Sequence, residues 1–185
     1  MQEEENILRI LEETKTAVQN NDTFKIKQLS DQTNNTVART QDPDNIAVAV
    51  IVYAIGKILE RGYQNQNGWD IFYKNMLVYL DKAIVSIKSK KPEEFSRSLE
   101  LMRGSITKLS GNLKKYISDV FRKASINKAS KIYEHGISME KTASLLGITM
   151  FELASYAGER EIADTPESNT LGVKQRIKLA MEMFG

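Results

Sequence analysis

The run IAVAVIVYAIGKIL, Ile46–Leu59, is apolar on every face of a helix, so it needs a full coat of other helices or of lipid. It falls short of the length that crosses a bilayer and contains Lys57, which points to a buried central helix and to no membrane contact. Asp42 is placed to cap this helix and Pro43 fits its first turn; its end is expected near Arg61. A chain of 185 residues, 41% hydrophobic, can bury one good core, or one core and a small satellite domain.

The rest of the chain is expected to be helical too. Glycine and proline number only 10 and 3, and apolar residues recur at three and four, which predicts an all-α protein. Residues 3–19 set Ile7, Leu8, Leu11 and Val18 on one face. Thr23–Arg39 carries Phe24, Ile26, Leu29 and Val37 among many Thr, Asn and Gln residues. After the loop GYQNQNG, a helix is expected over Trp69–Lys88, with Phe72, Met76, Leu80, Ile84 and Ile87 inward, and KSKKPEE ends it. Next, Phe95, Leu99, Met102, Ile106, Leu109, Leu113, Tyr116 and Val120 step alternately by four and three. That spacing predicts one long helix with a heptad seam, packed in its own bundle or paired with a second copy as a homodimer. Gly104 and Gly111 within it permit close approach or mark a bend.

Domain organisation follows from a change of character at about residue 125. Residues 1–124 are expected to form a helical bundle, 125–163 a helix-turn-helix unit, and 164–185 a linker with an amphipathic C-terminal helix. In the middle unit a helix through Ser125–Glu134 ends at His135-Gly136, Ser138 caps a second helix, Gly147 makes the turn, and Thr149 caps a third. Ala143, Leu146, Ile148 and Leu153 supply its core.

A base-reading third helix normally presents basic or amide side chains. Here it offers Met150, Phe151 and Glu152, and from Glu134 to Glu167 seven acids face only Lys141 and Arg160. Duplex affinity rests largely on cations, so this unit is expected to hold a protein. In LGVKQRIKLAMEMFG, Val173, Ile177, Ala180, Met181 and Phe184 form an apolar stripe beside Lys174, Arg176 and Lys178; this segment can dock in cis or insert into a partner. A basic cluster, Lys108, Lys114, Lys115, Arg122, Lys123, Lys128 and Lys131, contains Asp119 as its only acid. It offers the alternative of a nucleic-acid surface on RNA, DNA or the ribosome.

Catalytic chemistry has little to stand on. The lone His135 beside Gly136 is accounted for by the helix dipole, and Asp42 and Asp44 by capping; no cofactor or metal is expected. Zero cysteines exclude a thiol nucleophile and a disulfide framework and fit a reducing compartment. The acidic start MQEEENILRILEE is unlike a secretory signal, and together these features lead to a cytoplasmic expectation.

The segments GISMEKTASLLGITMFELASYAGERE and SNTLGVKQRIKLAMEMF resemble the helix-turn-helix and tail of small archaeal antitoxin-like proteins associated with PIN-domain ribonucleases. The stretch IKQLSDQTNNTVARTQDPDNIAVAVIVYAIGKILER resembles the N-terminal helical part of longer, uncharacterised archaeal proteins carrying the same module. The resemblance implies a platform and a tail that grip a nuclease. An arginine, Arg176 first and Arg160 second, would then pair with the carboxylates that hold the nuclease's metal. It places partner contacts at Met150, Phe151, Glu152, Arg160, Arg176, Ile177, Met181 and Phe184.

Overall fold

The computed structural model describes residues 3–40, 42–134, 138–140, 143, 149–151 and 153–155; for 38, 107 and 131–134 it describes the backbone alone. The fold is all-α, and no strand occurs among the described residues. Six α-helices are formed between residues 3 and 134: α1 Glu4–Gln19, α2 Thr23–Thr40, α3 Pro43–Glu60, α4 Trp69–Lys88, α5 Pro92–Gly104 and α6 Gly111–Glu134.

The apolar helix α3 is central, packed against α1, α2, α5 and α6, and eleven of its residues from Asn45 to Leu59 are buried. Its start is built as the sequence implies. Asp42 Oδ1 accepts from the Asp44 and Asn45 amides at 2.9 and 3.4 Å, and Pro43 occupies the first turn. Asp44 in turn accepts from Ser96 Oγ at 2.8 Å, tying α3 to α5. These two aspartates therefore serve helix architecture.

α4 runs over the expected residues, with Phe72, Met76, Leu80, Ile84 and Ile87 all buried against α1 and α5. Gly56 lets α2 and α3 approach closely: a Cβ there would meet Ile26 Cγ2 at 3.1 Å. On α2, Ile26, Leu29 and Val37 are buried as expected, but Phe24 is exposed, one position outside the inward stripe. The inward face of α2 is completed by Ser30, Thr33 and Thr36, polar residues that are also buried.

The expected single helix through Phe95–Val120 is not formed. α5 ends at Gly104, a 3-10 turn covers Ser105–Lys108, Leu109 is extended, and α6 begins at Gly111 with φ +60°. The Ser105 hydroxyl donates to the Met102 carbonyl at 2.6 Å, a local bond that favours the tighter turn, and glycine takes the left-handed conformation where a side chain would be strained. The seam spacing nonetheless marks burial: Phe95, Leu99, Met102, Ile106, Leu113 and Val120 all enter the core of their own chain. The seam thus offers no continuous face to a second copy. Tyr116 stacks on Tyr63, their rings 5.4 Å apart, so this exposed seam residue too is engaged within the chain.

α6 runs unbroken across residues 124 and 125, where a domain junction was expected. Beyond it, Met139, Glu140, Ala143, Met150, Phe151 and Leu153–Ser155 are helical, while Ser138 and Thr149 stand outside helix just ahead of such residues.

Candidate partner-binding surface

Three surfaces can be built from the described residues. The first is at residues 149–155. The Leu153 amide donates to the Thr149 carbonyl at 3.2 Å, fixing the start of a helical turn. Leu153 is fully buried and Ala143 nearly so, both within the main hydrophobic core. That anchoring turns Met150 and Phe151 outward, 53% and 80% exposed. The expected split between a core side and an apolar outer side is present here. Glu152, Arg160, Arg176, Ile177, Met181 and Phe184 lie outside the described residues, as does His135.

The second surface is the basic helix. Lys114, Lys115, Arg122 and Lys123 are exposed along α6, with Asp119 between them bound to Lys123 at 3.0 Å and to Arg61 at 3.8 Å. Lys128 does not belong to it. Only 2% exposed, its ammonium is turned inward and donates to the Ser30 carbonyl and Oγ, both at 2.9 Å, to Asn34 Oδ1 at 2.8 Å and to Thr33 Oγ1 at 3.5 Å. It also lies 5.3 Å from the centre of the Tyr53 ring. The physical reason is register: Lys128 follows Phe121 by seven and Ala124 by four, both buried, so it occupies a core position that α2 furnishes with acceptors. The side chain of Lys131 lies outside the described residues.

The third surface was not anticipated. On α4, Ile71, Val78 and Val85 are 67%, 40% and 58% exposed, at a spacing of seven. Beside Val85, a groove of about 470 Å³ opens between α4 and α5, reaching Leu101, Arg97 and Glu94. The signal is in the sequence: a second apolar stripe on the face of α4 opposite the core stripe. A separate cleft of about 370 Å³ between α2 and α3 is lined by Phe24, Ser30, Tyr53, Gly56 and Lys57. At its edge, the hydrogen bond from Lys57 holds the Glu60 carboxyl below its ordinary range.

Among the described residues, no group of three or more His, Asp or Glu side chains is placed to hold a metal, and no helix is long and apolar enough to cross a membrane. Comparison with protein-family models, curated proteins and solved structures returns no match.

Proposed function

We propose that the chain is a non-enzymatic regulatory interaction protein. It docks a protein partner on the helix-turn-helix face around Met150 and Phe151 and restrains it with the C-terminal segment that carries Arg160, Arg176, Ile177, Met181 and Phe184. The observation that carries this reading is the split at residues 150–153, where a buried Leu153 holds two large apolar side chains outward. Such a face suits an apolar counterpart; base edges and phosphates call for amides and cations. The sequence resemblance supplies the partner class, a PIN-domain ribonuclease, and the contact, an arginine given to its carboxylates.

Capture from nuclease-treated lysate of the native cell tests it. One protein retained in stoichiometric amount, and lost from the M150D/F151D variant or from a chain ending at Asp164, is the expected result. A partner that survives both changes at full affinity overturns the reading. The exposure of Lys114, Lys115, Arg122 and Lys123 favours a second reading, contact with RNA or DNA phosphates through α6. Charge reversal at those four positions would abolish nucleic-acid retention and leave protein capture intact.

A further inference from the structure

The outer stripe of α4 is spaced for a second copy of itself. Ile71, Val78 and Val85 are seven residues apart, all β-branched, and cover about 21 Å of helix at 1.5 Å per residue. An i, i+7 stripe drifts by only about 20° per step, so the three lie on one ridge. Ion pairs fix which neighbour flanks which side. Lys15 of α1 binds Asp81 at 2.6 Å and Glu12 of α1 binds Lys88 at 2.6 Å, so Lys74, Asp81 and Lys88 line the α1 side of the ridge. Lys82 borders the groove to α5, and Asn75, seven residues before it, shares that side.

We infer that this ridge is a homodimer interface in which two α4 helices pack antiparallel about a two-fold axis at Val78. The axis sets Val78 against Val78 and Ile71 against Val85 twice, giving three β-branched layers from one stripe. An antiparallel two-fold joins like flanks, as it does in any isologous contact. On the α1 flank, Lys74 lies four residues before Val78 and Asp81 three after it. Lys74 of each copy therefore falls beside Asp81 of the other, twice over. Lys15 binds Asp81 through Oδ1, and a carboxylate has a second oxygen to offer. On the α5 flank, Lys82 meets the Asn75 amide. Antiparallel packing also opposes the two helix dipoles, which a parallel pair would align, and a parallel pair would set Lys74 against Asn75. This inference is independent of the partner-binding reading, since it concerns the purified chain alone.

The natural absence of cysteine makes the register testable. In the full chain, Val78→Cys sits on the axis and is expected to form an intermolecular disulfide with itself under mild oxidation. Ile71→Cys alone is expected not to, yet to cross-link when mixed with Val85→Cys. Sedimentation equilibrium should give a dimer for the unaltered chain. V78D, with its helical circular dichroism unchanged, should dissociate roughly tenfold or more readily. K74D should weaken the dimer and K74D/D81K should restore it. A monomer at the highest soluble concentration overturns the proposal and leaves the ridge to a different partner. Undiminished association of V78D overturns it as well, and self-cross-linking of Ile71→Cys as readily as Val78→Cys overturns the antiparallel register.

Discussion

Replacing Lys128 by methionine removes the donor at the α2–α6 junction while keeping most of the side chain's volume, so no large cavity opens. Hydrogen bonds to a charged group contribute about 1.5–3 kcal/mol each, and the neutral acceptors that removal of the ammonium leaves buried and unanswered cost about 1–3 kcal/mol each, together about 3–5 kcal/mol. Three features move the expected value below that range. The Ser30 carbonyl retains a bond from Thr33 Oγ1 at 2.6 Å, Asn34 Oδ1 lies in a partly buried contact that water can reach, and the desolvation of the ammonium is relieved. The expected loss is about 2–3 kcal/mol, which for a chain of this size lowers Tm by about 4–12 °C. Urea unfolding followed by circular dichroism measures it, with the slope m unchanged. Lys123→Met is the control: that lysine is exposed and paired only with the half-buried Asp119 among the described groups, so its loss should stay below about 1 kcal/mol. Equal midpoints for the two variants, or a Lys128→Met midpoint within about 0.5 kcal/mol of the unaltered chain, would refute the argument that this lysine is a core element.

The break between α5 and α6 gives a contrast of two glycines. Gly111 at φ +60° should lose about 1–2 kcal/mol on substitution by alanine, whereas Gly104, helical at φ −66°, should gain about 0.4–1 kcal/mol; thermal unfolding of both variants checks the sign of each. Glu13 is held below its ordinary 4.5 by hydrogen bonds from Lys25 and then Arg9, linking α1 to α2. A depressed carboxyl stabilises the fold above its unfolded pKa, and the contribution fades as pH falls through the lower folded value. Glu13→Gln should therefore flatten the acid limb of a stability–pH curve below about 4.5 by at most about 1 kcal/mol, and an unchanged limb would contradict the assignment.

Legibility in the sequence followed the physics of each signal. Asp42-Pro43 and the apolar run after it marked α3, and the four-residue spacing from Phe72 to Ile84 marked α4, because capping and burial both leave local traces. The seam from Phe95 to Val120 shows what spacing omits: it reports which residues face inward, and a chain can keep that rhythm while the backbone turns at Ser105–Ser110. Residue type and the neighbouring lysines place Lys128 in the basic surface cluster, yet it is buried. Its core role rests on Ser30, Thr33 and Asn34, nearly a hundred residues earlier, and no local window joins the two. The α4 ridge was missed for the opposite reason, since the inward stripe was strong enough to use up the pattern. At the candidate site, the outward Met150 and Phe151 were legible because the helix start at Thr149 sets their phase against Leu153.

The contact between Lys128 and Ser30 spans 98 residues, and it orders events during synthesis. α2 is rich in residues that favour turns over helix; Thr36 accepts from Asn6 of α1, whereas Ser30 and Thr33 receive the Lys128 ammonium from α6. A nascent chain that has delivered α1 to α5 thus holds a second helix whose apolar face and Thr36 are already answered by α1 and α3, but whose Ser30 still lacks the Lys128 donor. Those last polar contacts form once residue 128 has left the ribosome, so the amino-terminal third of the molecule is finished by one of its later-made parts.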